Sequence, residues 1–209
     1  MFKIIIRVIR NNRAMYFAYG VVNVVGRDIV DVGAFVGDTA LYFVSRGARR
    51  VFAIEPHPRA FKELVRNIAT NGLQGRIIAI NAALGSRPGF IYVPANLDLS
   101  DVVSTYFGYE YAEYVPGRVR VRVITLGELV NEYGVETDVL KMNCEGCEYD
   151  VVLNDYEHVR LFRELIFEYH RWVTGIPVDN LLSVLARDYD CEFVGLAVKD
   201  YGYVHCRHR

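Results

Sequence analysis

Glutamine and lysine are scarce in this sequence of 209 residues, whereas arginine is abundant. Gln74 is the only glutamine, and the lysines are Lys3, Lys62, Lys141 and Lys199. Few glutamines together with many ionic groups weakly indicate a thermophilic protein. The formal net charge of −1 excludes an overall positive field that would attract nucleic acid.

Long apolar runs are also missing, because none approaches the ~20 residues that a membrane-spanning helix requires. The first residues carry cations around a short isoleucine run at 4–6, without a long apolar core or a small-residue cleavage site. We therefore expect no signal peptide and a cytoplasmic protein. Residues 1–209 are predicted to form one domain, with 1–20 as an N-terminal extension that packs on it. A membrane-surface anchor is the weaker alternative for that extension.

Only four cysteines are present, and two of them stand close together. Cys144 and Cys147 have the Cys-x-x-Cys spacing that occurs in redox and zinc sites. A zinc site needs four ligands, a redox pair needs a thioredoxin-like context, and the neighbouring sequence provides neither. We therefore keep both as weak alternatives, predict no metal, and interpret the cysteines as small buried apolar side chains.

The other two cysteines, Cys191 and Cys206, lie in the last two predicted strands. With a turn near residues 199–202, Cys206 is expected to face a residue near Gly195 and not Cys191. That register argues against a disulfide between them.

Strand-like and helix-like patterns alternate along the chain. Helical periodicity runs over 59–71 and 179–187, and a capping box formed by Thr125 and Glu128 opens another helix. Such alternation predicts a parallel α/β sheet that is covered on both faces, with an antiparallel pair of strands at the carboxyl-terminal end. The predicted strands are 28–32, 51–54, 77–80, 90–93, 138–143, 165–169, 192–198 and 203–207.

A glycine-bearing loop follows the first predicted strand, with Asp31 before it, Gly33 and Gly37 within it, and Asp38 after it. A dinucleotide loop offers backbone N–H groups to a diphosphate, which these two carboxylates would repel. A cationic cofactor without phosphate, such as S-adenosylmethionine, fits better. Glu55 ends the second strand, where an acid accepts hydrogen bonds from ribose hydroxyls. The simpler alternative is an ordinary strand–turn–helix with two turn glycines.

A second polar cluster is predicted where a later strand runs out. Lys141, Asn143 and Glu145 share one side of that strand, at the sheet edge where ligands bind. Glu168 and His170 reach the same edge from the next strand, and the ordinary pKa of histidine makes His170 a candidate general base. The alternatives are a purely structural Lys–Glu pair and a histidine at the edge of the core.

The stretch 95–116 interrupts the alternation and is rich in Ser, Asp and Tyr. A loop of this length is usually a lid or a binding element, and its tyrosines suit stacking against a sugar or an aromatic ring. A surface excursion with its own short helix is an equal alternative. Arg118, Arg120 and Arg122 then share one face of 115–123, which predicts a solvated edge strand or, less strongly, a phosphate-binding stripe.

Four blocks of the chain, at 30–39, 54–58, 67–73 and 140–149, resemble the FkbM family of S-adenosylmethionine-dependent methyltransferases. The last block is the most specific, because the family typically has Lys-Ile-Asp-Val-Glu-Gly-x-Glu there. The resemblance implies the class I methyltransferase fold. This is a Rossmann-like, three-layer α/β sandwich with a seven-stranded, mostly parallel sheet and an antiparallel carboxyl-terminal hairpin.

The resemblance also implies a cofactor site, with adenine near Asn81 and Ala82. The predicted cofactor-binding residues are Asp31, Gly33, Ala34, Phe35, Gly37, Asp38, Thr39, Glu55, Pro56, Asn81, Ala82 and Asn143. The predicted catalytic residues are His170, Glu145, Lys141 and Asn143. Phe35 and Asn143 depart from the family, which usually has Asn and Asp at these positions. Because an amide cannot take a proton, the second departure favours His170 or Glu145 as the base.

The resemblance finally implies in-line methyl transfer to a hydroxyl of a sugar or small metabolite. Methylation of RNA by way of the arginine stripe ranks second, because an Asn-Pro-Pro-Tyr-type motif is absent. A noncatalytic S-adenosylmethionine-binding module stays open because of Asn143. The loop chemistry speaks against a nicotinamide-dependent oxidoreductase, and the residues carry no prediction of oligomeric state.

Overall fold

The structure is a computed structural model that describes residues 13–96 and 116–209. The strands are β1 Asp28–Val32, β2 Arg50–Ile54, β3 Ile77–Ile80, β4 Ala83–Leu84, β5 Gly89–Pro94, β6 Arg118–Ile124, β7 Val139–Met142, β8 Glu164–His170, β9 Tyr189–Ala197 and β10 Tyr201–His208. The helices are α1 Arg13–Tyr19, α2 Asp38–Ser45, α3 Pro58–Thr70, α4 Leu126–Tyr133, α5 Cys147–Asn154, α6 Tyr156–Val159, α7 Arg171–Thr174 and α8 Val178–Leu185.

A seven-stranded sheet forms the centre of the fold, in the order β3-β2-β1-β7-β8-β10-β9. The first five strands of this order pair in parallel, and β10 pairs antiparallel with both β8 and β9. The predicted mostly parallel sheet with an antiparallel carboxyl-terminal hairpin is therefore confirmed. The carboxyl ends of β1, β2, β7 and β8 meet at one edge, where α/β sheets bind ligands.

Helices cover both faces of this sheet. Val30 and Val32 of β1 pack in one hydrophobic core with α4, α5, α6 and α8. Ile29 of the same strand faces the opposite core, which it shares with α1, α2 and α3. Because successive side chains of a strand point to opposite faces, a strand covered on both sides is mainly apolar, and the buried Asp28 and Asp31 of β1 need charged partners. The predicted three-layer arrangement is confirmed.

Local sequence sets where several helices begin. The predicted capping box is confirmed at α4: the Thr125 hydroxyl accepts from the Glu128 amide at 3.2 Å, and the Glu128 carboxylate accepts from the Thr125 amide at 2.8 Å. At α3, Pro58 occupies the first turn and the ring Nδ1 of His57 accepts from the Arg59 amide at 3.1 Å.

A second sheet of three strands, in the order β4-β6-β5, lies outside the predicted architecture. The predicted edge strand at 115–123 is wrong in this respect, because β6 is the middle strand and pairs with β5 along its length. The arginines of β6 are exposed, but two of them have partners nearby. Arg120 stacks over the Phe90 ring at 3.5 Å, and Arg122 forms an ion pair with Glu128. These local partners weaken the case for a phosphate-binding stripe.

Cys191 and Cys206 form a disulfide between β9 and β10, with their Cα atoms 4.1 Å apart. The expectation that register keeps them apart is therefore wrong. Counting back from the turn assumed regular pairing along the whole hairpin, which the hairpin does not have.

The position of the turn and a β-bulge together account for the difference in register. Gly202 pairs with Ala197, but the next residue, Tyr203, pairs with Val194. Two residues of β9, at positions 195 and 196, are therefore left out of the pairing with β10. Gly195 is one of them and has a φ of 71°, in the left-handed region that favours glycine. The pair of Gly202 with Ala197 is already two positions away from the expected register, and regular pairing from it would set Cys206 opposite Phe193. The bulge moves the later pairs by two further positions, so Cys206 faces Cys191.

Helix α1 packs firmly on the main domain. Tyr16, Ala18 and Tyr19 are buried, and the Tyr16 ring contacts that of Tyr42 on α2, with centroids 4.8 Å apart. Residues 1–12 of the predicted extension lie outside the described residues, as do residues 97–115 of the predicted tyrosine-rich lid. Among the described helices, none has the length and apolarity needed to cross a membrane.

Candidate functional site

The loops that follow β1 and β7 touch through their backbones at Gly33. This residue has a φ of 72°, and a Cβ atom placed on it would lie 1.9 Å from the carbonyl oxygen of Asn143. The same Cβ would lie 3.5 Å from the Cα of Cys144. Only glycine therefore allows the two loops to meet, and the predicted cofactor loop and the second polar cluster form one site.

Glu55 joins the predicted cofactor loop to the turn after β2. Its buried carboxylate accepts hydrogen bonds from the Phe35 amide at 2.8 Å and the His57 amide at 2.7 Å. Phe35 has a φ of 49°, unusual for a residue with a side chain. The Asn81 side-chain amide donates to the Glu55 carbonyl at 2.8 Å. Since a carboxylate oxygen accepts more than one hydrogen bond, this arrangement is compatible with ribose hydroxyls as further donors.

The remaining predicted adenosine-site residues lie at the same edge. Ala34 and Ala82 are buried, and the Ala34 amide donates to the carbonyl of Ile54 at 3.1 Å. The carbonyl of Pro56 accepts from the Asn81 side chain at 3.2 Å. The structure thus brings these residues together at the ends of β1, β2 and β3.

Asp31 and Lys141 form a buried ion pair, with 2.7 Å between Lys141 Nζ and an Asp31 carboxylate oxygen. Lys141 Nζ also donates to the carbonyls of Val32 at 3.1 Å and Gly33 at 3.2 Å, and Thr39 donates to the second Asp31 oxygen at 2.6 Å. Side-chain exposure is 1% for Lys141 and 0% for Asp31. Both predicted site residues are therefore buried, and they stabilise the conformation of the loop that follows β1.

The beginning of α2 continues the predicted cofactor loop. Gly37 caps the helix with a φ of 88°, and Asp38 lies in the first turn. The Tyr16 hydroxyl donates to an Asp38 carboxylate oxygen at 3.0 Å. Burial raises the pKa of Asp38, although this hydrogen bond and the charge of Lys141 act in the opposite direction.

Asn143 serves as a hydrogen-bond donor. Its side-chain amide donates to a Glu168 carboxylate oxygen at 2.8 Å and to the Tyr19 hydroxyl at 3.3 Å. The Tyr203 hydroxyl also hydrogen-bonds to Glu168, and burial raises the pKa of that glutamate. An aspartate at 143 would set a second carboxylate against Glu168, so the asparagine suits its partner. Tyr19 and Tyr203 were not predicted, because nothing local in the sequence places α1 or β10 at this edge.

Glu145 occupies a left-handed turn directly above the end of β7. Its φ is 55°, and Gly146, with a φ of 115°, caps α5. One carboxylate oxygen lies 3.6 Å from His170 Nε2, and the other is buried without a hydrogen-bond partner among the described residues. Burial raises the pKa of Glu145 to about 7; the charge of His170 opposes the rise, and the charges of Glu148 and Glu168 add to it.

His170 is held by Glu148, a buried residue that the site prediction left out. One Glu148 carboxylate oxygen lies 2.9 Å from His170 Nδ1 and accepts from the His170 amide at 3.0 Å. Burial acts to lower the pKa of His170, but the hydrogen bond and charge of Glu148, with the charges of Glu145 and Glu168, raise it to about 9. The imidazole therefore carries a proton at neutral pH.

Cys144 and Cys147 form a disulfide across this turn, with their Cα atoms 5.4 Å apart. The interpretation of these cysteines as simple apolar side chains is wrong. Left-handed backbone at Glu145 and Gly146 folds the chain tightly enough to bring the sulfurs together, and this conformation is not apparent from the Cys-x-x-Cys spacing. With Glu148, the two cysteines make a compact group of potential metal ligands, but sulfurs bonded to each other are not thiolates.

A cavity of 270 Å³ adjoins Glu145 on the side of α5 and α7. Asp150 at its rim accepts hydrogen bonds from the amide and hydroxyl of Ser86, at 2.8 and 2.9 Å. Apolar atoms form most of the cavity wall, and Glu145 is among its lining residues. Its lining residues are Glu145, Gly146, Tyr149, Asp150, Leu153, Asn154, Val173, Thr174 and Ile176.

The sequence matches a known family over most of its length. Residues 31–204 match the family described as the methyltransferase FkbM domain. A curated relative, methyltransferase sdnD of Sordaria araneosa, is 29% identical in an alignment of length 168 that covers 67% of this chain and 65% of that protein. The chain thus spans slightly less than two thirds of the length of this relative.

Solved structures of methyltransferases share the fold. FkbM from Methylobacillus flagellatus gives a TM-score of 0.60 at 17% identity, over 91% of this chain and 46% of that one. TrmK of M. capricolum with S-adenosylhomocysteine gives 0.57 at 13% identity, over 94% and 67%. An O-methyltransferase from Bacillus cereus with S-adenosylhomocysteine gives 0.57 at 12% identity, over 98% and 90%. At these identities the similarity establishes the class I fold alone.

Proposed function

Because the chain belongs to the FkbM methyltransferase family, we propose that it transfers a methyl group from S-adenosylmethionine to a hydroxyl of a sugar or small metabolite. The observation that carries the proposal is the buried Glu145 oxygen, which has no hydrogen-bond partner among the residues described. A hydroxyl must lose its proton as it attacks, and a carboxylate at this edge is suited to accept it.

The residues around the β1 loop fit S-adenosylmethionine. Gly33 leaves no side chain between the two loops, and Glu55 presents a buried carboxylate beside the ends of β1 and β2. When bound, the cofactor supplies a methyl group on a positively charged sulfur. The acidic surroundings formed by Asp38, Glu145 and Glu168 favour such a cation over a diphosphate.

Glu145 and His170 have different roles in this proposal. At neutral pH the His170 imidazole is protonated and has no free lone pair to act as a base. Its positive charge lies 3.6 Å from Glu145 and helps keep that carboxylate ionised. We assign Glu145 as the base and His170, anchored by Glu148, as a positioning residue. Much of the acceleration then comes from alignment of the acceptor oxygen, at ~3 Å from the methyl carbon.

The cavity beside Glu145 supports a small acceptor. Its 270 Å³ lies just below the range of about 300–1,000 Å³ that is typical of small-molecule sites. Apolar walls from Leu153, Val173 and Ile176 suit the carbon skeleton of a small metabolite or the apolar face of a sugar ring. The buried glutamates at this edge disfavour a polyphosphate backbone.

The substitution Glu145→Gln is expected to lower kcat by about 10²–10⁴-fold, because the amide keeps the shape of the side chain but cannot accept a proton. Formation of S-adenosylhomocysteine is measured with panels of glycosides, small hydroxylated metabolites and RNA transcripts. Affinity for S-adenosylhomocysteine should stay within about twofold of the wild type. Glu157→Gln is the matched control, since that side chain is 82% exposed. Full turnover by Glu145→Gln, or methylation of RNA alone, would contradict the proposal.

The rate is expected to depend on pH through Glu145. A base works only after losing its proton, so kcat/KM should rise with pH and level off above a midpoint of about 7. Replacing His170 by Gln removes a positive charge that lowers the pKa of Glu145, so the midpoint should move to higher pH. A midpoint that stays in place, or moves down, in His170→Gln would show that Glu145 is not the titrating base.

A further inference from the structure

The Cys144–Cys147 disulfide encloses the residue that we assign as the base. Only Glu145 and Gly146 lie between the two cysteines, and both have left-handed backbone, with φ of 55° and 115°. For Glu145 this conformation is unfavourable, since its Cβ crowds the backbone there. A covalent closure of the turn therefore keeps Glu145 in a conformation that an open chain would tend to leave.

The same disulfide lies against two other parts of the site. Cys144 Sγ is 3.3 Å from the Glu148 carboxylate oxygen that also accepts from the Gly146 amide. The Cα of Cys144 lies 3.5 Å from the position of a Cβ on Gly33, in the cofactor loop. Breaking this one bond therefore affects Glu145, the Glu148 carboxylate that binds His170, and the cofactor loop at Gly33 together.

The two cysteines of this disulfide differ in exposure. Cys144 is partly exposed whereas Cys147 is fully buried at the start of α5. The two disulfides also differ in what holds their cysteines together. Cys191 and Cys206 stay opposite each other in the paired strands β9 and β10, whereas the left-handed backbone at Glu145 can relax once the Cys144–Cys147 bond is broken. The Cys144–Cys147 disulfide is therefore the easier one to reduce.

We propose that Cys144–Cys147 is a thiol–disulfide exchange site through which a dithiol reductant switches the methyltransferase off. A thiolate of the reductant attacks Cys144 Sγ, the Cys144–Cys147 bond breaks, and Cys147 leaves as a thiolate that takes up a proton. The second reductant thiol then displaces Cys144, so the enzyme gains two electrons and two protons while the reductant becomes a disulfide. The inference rests on the proposed function for its effect on activity, and on geometry alone for the exchange itself.

Reduction has two consequences for the site. The turn opens, so Glu145 can relax out of left-handed backbone and its carboxylate moves away from His170. The new Cys144 thiol can also donate to the Glu148 oxygen 3.3 Å away, which weakens the hold of Glu148 on the imidazole. The oxidised form is therefore the ordered and active one.

The test titrates the full chain with dithiothreitol and follows each cysteine pair by alkylation and mass spectrometry. Because the turn at Glu145 relaxes after reduction, Cys144 and Cys147 should become alkylated at an about tenfold lower ratio of reduced to oxidised dithiothreitol than Cys191 and Cys206. At that ratio, amide hydrogen exchange at Glu145 and Gly146 should quicken about tenfold. Calorimetry should then show an about tenfold weaker affinity for S-adenosylhomocysteine than in the oxidised protein.

Paired variants complete the experiment. The double variant C144S/C147S should reproduce the reduced form and no longer respond to the reductant, whereas C191S/C206S should keep the full response. Equal exchange rates and affinities in the oxidised and reduced wild type would overturn the proposal, as would reduction of Cys191–Cys206 first. Failure of both redox forms to bind S-adenosylhomocysteine would instead overturn the proposed function, and amide exchange would still decide on the switch.

Discussion

The substitution Gly33→Ala is expected to abolish binding of S-adenosylhomocysteine and to lower the free energy of unfolding by about 4 kcal/mol or more, near the top of the range for single substitutions. The added Cβ would lie 1.9 Å from the carbonyl oxygen of Asn143, far inside van der Waals contact. The neighbouring atoms are backbone, so they cannot yield as a flexible side chain does. The loops after β1 and β7 must then separate, and with them the two halves of the site.

Gly72→Ala is the matched control for this substitution. Gly72 also has a left-handed backbone, with a φ of 65°, but a Cβ there meets no atom of the described residues within 4 Å. It should cost only the conformational penalty of about 1–2 kcal/mol and leave ligand binding unchanged. Urea denaturation and calorimetry measure both variants. If Gly33→Ala lost no more stability than Gly72→Ala and still bound the ligand, the proposed contact between the two loops would be wrong.

The substitution Lys141→Met is expected to lower the free energy of unfolding by about 3–5 kcal/mol, because it leaves the buried Asp31 carboxylate without its counter-charge. The two groups are 2.7 Å apart, and neither side chain exposes more than 1% of its surface. Among the residues that the structure describes, Thr39 is then the side chain left to hydrogen-bond to the Asp31 carboxylate. Urea denaturation curves measure the loss directly.

Two further variants separate charge from shape. The double variant D31N/K141M should recover a large part of the stability, because it removes the unpaired charge. Lys62→Met, on the exposed face of α3, should change stability by no more than about 0.5 kcal/mol. If Lys141→Met were as mild as Lys62→Met, the buried pair would contribute little to the loop under the cofactor site.

Much of the fold was predictable from the sequence because its strands and helix starts depend on local patterns. Apolar runs such as 51–54 identified buried strands, and the spacing of Asp31, Gly33 and Gly37 identified the loop that follows the first strand. Thr125 and Glu128 identified a helix start correctly, since a capping box involves only neighbours in sequence. These features need no knowledge of distant contacts.

The features that sequence could not supply depend on departures from regular geometry or on distant contacts. The bulge at Gly195 moved the register of β9 and β10, and the left-handed turn at Glu145 closed a disulfide that spacing alone had not indicated. Glu148 lies in the most specific of the four blocks, yet its contact with His170 requires β8 and α5 to be side by side. A cluster of interacting carboxylates then determines the pKa of that histidine.

Helix α1 shows where along the sequence the folded unit around the candidate site begins. The family match begins at residue 31, but Tyr19, entirely buried, places its ring 5.5 Å from Lys141 Nζ and its hydroxyl against Asn143. Tyr16 likewise binds Asp38. Aromatic side chains that pack under the candidate site thus come from residues that precede the family match. A shortened protein that begins at residue 31 would expose Lys141 and Asn143 where these rings now cover them.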